Sequence, residues 1–237
     1  VTVTWNAPEY VARLLDSLAA RTPEPVETIV VDNASEAPTR RLLAERAAAG
    51  AIRLLQNEEN LLWARGCNQG LRAADPRSRY LLLLNPDCEI LREDWVARLR
   101  GVLESDPRVA VTGPFLNWKR IGPVYGCVDG SVFFVRREAL EQVGLLDAER
   151  FPWNGSPYDW CARAWAKGWI YRRCANDPPS LVHHGHKSVE ASGRDLPWNR
   201  VDVEDMLRRA GVEPTRPHRF TAWVRRRFGP RYFFEPV

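Results

Sequence analysis

Residues 80–87 read Tyr80-Leu81-Leu82-Leu83-Leu84-Asn85-Pro86-Asp87, an unbroken apolar run stopped by a turn-forming Asn-Pro-Asp. A short run of this kind, apolar on both faces, is the pattern of a strand buried inside a parallel sheet. In such sheets ligands bind outside the carboxyl ends of the strands. Asp87 therefore stands where a carboxylate can coordinate Mg²⁺ or Mn²⁺ against phosphate oxygens. The same three residues also make an ordinary Pro-Asp turn, and taken alone they leave both readings open.

Upstream of this strand, β-branched and helical patterns alternate. Residues 1–4 form a short β-branched strand, Pro8 opens a helix carrying Leu14, Leu15 and Leu18 at helical spacing, and residues 27–31 form a second strand running into Asp32-Asn33-Ala34-Ser35. A helix over 39–49, a strand over 52–55 and a helix around 67–74 complete the approach to residue 80. Downstream, helices are expected at 95–104, 137–143, 160–167 and 203–209, and a strand at 132–135. Strands alternating with helices predict an α/β fold with a mainly parallel central sheet flanked by helices.

The chain has 237 residues, of which 45% are hydrophobic and 27% charged, with a formal net charge of +4. That composition is that of an ordinary globular protein, far from the low-hydrophobicity signature of disorder, and suits one large domain. Five scattered cysteines without a C-x-x-C pair signal neither a disulfide framework nor a zinc site, which fits a reducing cytosol. No apolar run approaches the length of a membrane span. Nucleic acid is not an expected partner.

Asp32, at the end of its strand, can accept hydrogen bonds from a nucleobase or a ribose hydroxyl, or can simply close an Asx-turn or cap a helix. Its company shifts the balance. Val3-Thr4-Trp5-Asn6 with Pro8-Glu9, then Val30-Val31-Asp32-Asn33-Ala34-Ser35, then Asn60 with Gly66, Asn68, Gly70 and Leu71, then Leu83-Leu84-Asn85-Pro86-Asp87 follow one another in order. In that order and spacing they resemble the family 2 glycosyltransferases over roughly residues 1–190. Within that family the resemblance is to the rhamnosyltransferase-like branch, which carries Asn-Pro-Asp where others have Asp-x-Asp.

The resemblance implies a GT-A fold, a nucleotide-diphospho-sugar donor (dTDP-, UDP- or GDP-linked) and Mn²⁺ or Mg²⁺. It implies transfer of a hexosyl or deoxyhexosyl group to a saccharide or lipid-linked acceptor, with inversion at the anomeric carbon. By position, Thr4, Asn6, Glu9 and Asp32 would line the nucleoside pocket, Arg65 and Asn68 would approach the donor, and Asp87 would hold the metal. Asn85 matches the first carboxylate of Asp-x-Asp, so the site has one charge fewer. The chain would divide into a catalytic domain, 1–192, with a donor half, 1–100, and an acceptor half, 101–192, followed by an extension, 193–237.

Two carboxylates compete for the role of general base. The family's Glu-Asp-x-Asp motif is replaced by Ser156-Pro157-Tyr158-Asp159, with Pro157 at the expected base and Asp159 at the second Asp. Asp159 reads either as the base or as the cap of the helix that follows. Asp129, before Gly130-Ser131, reads either as an acceptor contact or as a turn residue. Late in the chain, His183-His184-Gly185-His186-Lys187-Ser188 resembles the family's His motif, with His183 in register as a metal ligand, His184 and His186 as alternatives, and Lys187 as a diphosphate contact. The tail at 219–228 interleaves arginine with aromatic residues. It either lies on the anionic inner face of a membrane, where a lipid-linked acceptor is presented, or packs on the domain.

Overall fold

The structure, a computed structural model, describes residues 1–121, 124–185, 187, 190 and 203–212. In chain order its elements are β1 (Thr2–Thr4), α1 (Pro8–Arg21), β2 (Ile29–Asp32), α2 (Ala37–Ala48), β3 (Arg53–Gln56), α3 (Leu62–Ala73), β4 (Tyr80–Leu84) and β5 (Cys88–Ile90). There follow α4 (Trp95–Glu104), β6 (Val109–Gly113), β7 (Leu116–Ile121), β8 (Val124–Val128), β9 (Val132–Arg136) and α5 (Arg137–Val143). The last are α6 (Ser156–Ala166), β10 (Ile170–Arg173), β11 (Leu181–His183) and α7 (Val203–Arg209).

β1, β2 and β3 pair in parallel, and β4, β9, β6 and β10 form a second set in which β9 runs against both of its neighbours. Val1 N–H donates to Leu82 O at 2.8 Å and Leu84 N–H to Val1 O at 3.0 Å, the alternation of a parallel ladder. These bonds join the sets into the order β3-β2-β1-β4-β9-β6-β10. The chain builds outward from β1 to β3 and then returns to β1's other side with β4, which makes the β1/β4 junction a switch point with a crevice at its carboxyl end.

Local sequence explains why the helices lie where they do. Pro8 occupies the first turn of α1, where its missing N–H costs nothing, and Val11, Leu14 and Leu15 turn one buried face to the sheet. In α3 the glycines at 66 and 70 share a face. A Cβ on Gly66 would stand 2.8 Å from Val3 Cγ1, and one on Gly70 would collide with Val1, so both must be bare for the helix to close on β1. That helix begins at Leu62, earlier than the apolar spacing around Cys67 suggests. Trp160 on α6 is fully buried, packs edge-on against Phe133 at 5.4 Å and donates its indole N–H to Gly144 O at 2.8 Å. Its truncation to alanine is worth about 3–5 kcal/mol.

All five cysteines are buried free thiols. Met206, Leu207 and Val212, in and just after α7, are buried in the same core cluster as Trp160. The basic aromatic tail at 219–228 lies outside the described residues, as does His186. No helix among the described residues is long and apolar enough to cross a membrane.

Candidate active site

A cavity of about 350 Å³ opens at the β1/β4 junction. Val3, Thr4 and Trp5 at the end of β1 and Asn85, Pro86 and Asp87 at the end of β4 line it. Asp129, Gly130 and Ser131 before β9 and residues 153–155, 157 and 158 around the start of α6 line it as well. Backbone strain gathers at the same edge. Among the described residues the non-glycine positions with positive φ are Asn6 (61°), Ala7 (56°), Ala34 (60°) and Leu62 (64°), following β1 and β2 and opening α3. Such conformations cost roughly 1–3 kcal/mol each and tend to cluster at functional sites.

The turn after β4 is closed by its own main chain and anchored to the neighbouring strand. Cys88 N–H donates to Asn85 O at 3.1 Å, closing a four-residue turn with Pro86 in its second position, and Asn85 N–H is held by Ser131 O at 2.9 Å. The turn delivers the chain into β5, which pairs antiparallel with β11 so that His183 stands opposite Cys88. This ribbon carries His183 to Asp87, with Nε2 3.1 Å from Oδ1.

Asp87 is 2% exposed. Its Oδ2 accepts from Lys187 N–H at 3.0 Å, and its carbonyl accepts from His184 N–H at 2.9 Å. Burial works to raise the Asp87 carboxyl, but the hydrogen bond and charge of His183 and the Lys187 N–H outweigh it and hold the group below its ordinary value. Burial likewise depresses His183, and Asp87 together with the more distant Asp129 reverses that and raises it. A carboxylate on the cavity wall with an imidazole in contact with it suits a divalent cation whose other ligands come from a diphosphate and water. Among the described residues no third His, Cys, Asp or Glu completes a self-sufficient metal cage.

The other expected site residues divide. Thr4, Asn85 and Asp129 line the cavity with Asp87, and Asp129 Oδ1 accepts from Ser131 N–H at 2.9 Å. Asp32 is fully buried, with Oδ1 accepting from Ser35 N–H at 3.0 Å and Arg40 Nε 4.0 Å from Oδ2. Asn6 interlocks with the same turn, taking Glu36 N–H on Oδ1 at 2.7 Å and donating its own N–H to Ser35 Oγ at 2.8 Å. Glu9 is exposed on the first turn of α1, away from the cavity lining.

Arg65 and Asn68 turn away from the cavity. Arg65 pairs with Glu149 at 2.9 Å on the surface, and Asn68 is buried with its amide bonded to both the N–H and the carbonyl of Leu146, at 3.1 and 2.8 Å. Lys187 directs Nζ to Glu190 at 2.6 Å, so its main chain rather than its ammonium serves Asp87. The His184 ring contacts Glu89 at 3.0 Å, and only its main-chain N–H reaches Asp87.

Asp159 is not the cap of α6. The helix starts at Ser156 with Gly155 as its N-cap residue, because Pro157 fits a first helical turn, and Asp159 comes one turn in. Its carboxylate takes Arg163 Nε at 2.7 Å, and Arg163 also donates to Val143 O and Leu145 O. Burial raises the Asp159 carboxyl while Arg163 opposes it. Pro157, not Asp159, is on the cavity wall.

Sequence reasoning passed over Trp63. Its indole N–H donates to Asn85 Oδ1 at 3.1 Å, and its ring edge abuts Gly130, where a Cβ would stand 2.9 Å from Trp63 Cη2 and 2.8 Å from Pro157 Cγ. A tryptophan near a helix start carries no signal of its own, although its place between Asn60 and Gly66 does. Trp153 and Tyr158 add further aromatic wall.

No curated protein sequence matches the chain. Among solved structures, a mannosyltransferase from Pyrobaculum calidifontis in complex with GDP-Man and Mn²⁺ superposes with a TM-score of 0.60 at 16% identity, covering 97% of this chain and 74% of that one. S. aureus TarS 1–349 in complex with UDP-GlcNAc gives a TM-score of 0.61 at 16% identity, over 88% and 64% of the two chains. At such identities the likeness speaks for the fold, which is GT-A. The sequence profile described as "Glycosyl transferase family 2" matches residues 1–124, more than half of the chain, and takes in β1, Asp32, α3 and the Asp87 turn. The chain belongs to glycosyl transferase family 2.

Proposed function

We propose that this glycosyltransferase moves a hexosyl or deoxyhexosyl group from a dTDP-, UDP- or GDP-sugar to a saccharide or lipid-linked acceptor, with a divalent metal and with inversion. The observation that carries the reading is the contact of His183 with Asp87, which lines the β1/β4 crevice. The donor complexes of the structural neighbours, GDP-Man with Mn²⁺ and UDP-GlcNAc, support a nucleotide sugar as the donor class. Asn-Pro-Asp at 85–87 supports the rhamnosyltransferase-like branch.

Asp87 and His183 would hold the metal, which supplies positive charge to the departing diphosphate. Asp32, with Thr4 and Asn6 around it, would receive the nucleoside. Asp129 lines the cavity with Asp87, and it would take the acceptor hydroxyl's proton as the acceptor oxygen bonds to the anomeric carbon and the bond to the diphosphate breaks. Asp159, tied to Arg163, would hold α6 in place. Glu9, Arg65, Asn68 and Lys187 would act on the fold around the donor rather than on the donor itself.

Residues 1–100 and 101–192 would serve as donor and acceptor halves of one catalytic domain, and 193–237 as an extension whose basic aromatic tail rests on an anionic, cytoplasmic membrane face. A second reading, donor binding without transfer, draws on Pro157 standing where the family's base is expected. A thermal-shift screen of UDP, GDP and dTDP sugars with and without Mn²⁺ tests the donor claim, since a ligand that binds only the folded state raises Tm. The expected result is a metal-dependent rise with one nucleotide. No rise with any of them sinks the reading, and binding without glycosyl product from a mixed acceptor pool selects the second one.

A further inference from the structure

Asn85 occupies a corner in which every polar neighbour constrains it. Its Oδ1 accepts the Trp63 indole N–H at 3.1 Å, and its Nδ2 lies 3.4 Å from His183 Nε2. An indole nitrogen only donates, so the amide cannot turn over without setting NH₂ against N–H. Nor can the indole easily move aside, because its ring edge is fitted against Gly130. His183 Nε2 is in turn engaged by Asp87 Oδ1 at the shorter distance of 3.1 Å, through an interaction with a carboxylate. An Nε2 that carries its proton to Asp87, or that gives its lone pair to a metal, has none for the Asn85 NH₂, which faces the Asp87–His183 pair.

We propose that Trp63 is a positioning residue that locks Asn85 with its NH₂ toward the Asp87–His183 pair, making Asn85 a hydrogen-bond donor to a phosphate oxygen of the nucleotide and not a metal ligand. This rests on the metal and donor reading of the cavity given above. An NH₂ group presents no lone pair to a cation, whereas a phosphate oxygen drawn in by that cation offers the acceptor this corner lacks. The chain thereby replaces a second carboxylate with a neutral donor, and the metal centre depends on Asp87 for its only protein carboxylate among the described residues.

The test measures two affinities separately: Mn²⁺ alone, by paramagnetic resonance of the free ion, and UDP, GDP or dTDP at saturating Mn²⁺, by calorimetry. Asn85→Ala is expected to leave the affinity for Mn²⁺ alone within about twofold and to weaken the nucleoside diphosphate by about tenfold, the scale of one hydrogen bond to a charged group. Trp63→Phe is expected to weaken the nucleotide several-fold in the wild-type background and to add nothing to Asn85→Ala, the signature of two residues acting as one. Loss of Mn²⁺ affinity in Asn85→Ala overturns the proposal by making Asn85 a ligand. Unchanged nucleotide affinity in Asn85→Ala, or additive losses in the double variant, also overturns it. Asp87→Asn is the control on the underlying reading and should abolish Mn²⁺ binding. If it does not, the metal assignment fails first and the role of Asn85 falls with it.

Discussion

Asp87 Oδ1 and His183 Nε2 lie 3.1 Å apart because β5 and β11, three residues each, zip the turn after β4 to a segment from the far end of the described core. Asp87 is almost wholly buried and His183 mostly so, and Asp87 lines the crevice with His183 behind it. His183→Ala is expected to lower metal-stimulated glycosyl transfer by roughly 10–100-fold and to raise the Mn²⁺ concentration needed for half-maximal rate. A rate profile against Mn²⁺ that superimposes on the wild type would remove His183 from the metal site.

The two carboxylates that compete for the role of base are separated by what they touch. Asp129 lines the cavity, whereas Asp159 is 5% exposed and bonded to Arg163. Asp129→Asn is expected to cut kcat by roughly 10²-fold or more, with KM for the donor little changed. Asp159→Asn keeps an acceptor for Arg163 and should retain activity within a few-fold. Asp159→Ala strips that acceptor from a guanidinium still anchored on Val143 O and Leu145 O, and should lower stability by about 1–3 kcal/mol in denaturant titration. The reverse pattern, with Asp159→Asn inactive and Asp129→Asn active, would hand the role to Asp159.

Elements whose evidence is local were legible in the sequence. Leu14, Leu15 and Leu18 announce α1, and the run at 81–84 announces a buried strand, because period and burial are written within a few residues. The β5–β11 ribbon was not legible, since three-residue strands carry almost no periodicity and their pairing joins distant segments. His183 was placed only through the family resemblance. α6 starts at Ser156 and not at residue 160, because Pro157, which stands where the family's base is expected, also favours a first helical turn. Asn68 shows the complementary limit. A polar residue amid a motif looks like a ligand contact, and nothing local reveals that its partner is the main chain at Leu146.

That partner makes Asn68 a stability residue. Asn68→Ala would leave the Leu146 N–H and carbonyl without their buried partner, an expected loss of about 2–3 kcal/mol in urea unfolding. Arg65→Ala removes only a surface pair with Glu149 and should cost less than about 1 kcal/mol. In both variants the folded protein should bind nucleoside diphosphate as the wild type does. A tenfold loss of nucleotide affinity in folded Asn68→Ala would restore the donor contact inferred from its motif.

Gly130 sits where two rigid rings leave no space for a side chain. A Cβ there would lie 2.8 Å from Pro157 Cγ and 2.9 Å from Trp63 Cη2. Pro157 is fixed in the first turn of α6, so Gly130→Ala must push on the indole, and that motion strains the bond from Trp63 to Asn85. The expected outcome is a stability loss of about 1–3 kcal/mol, the usual cost of overpacking, with a fall in turnover beyond what the unfolded fraction explains. Removing the ring should relieve the crowding, so adding Gly130→Ala to a Trp63→Ala background should cost distinctly less than adding it to the wild type. Equal costs in the two backgrounds, measured by denaturant titration, would show that Pro157 alone meets the new methyl group and that the indole is not held against Gly130.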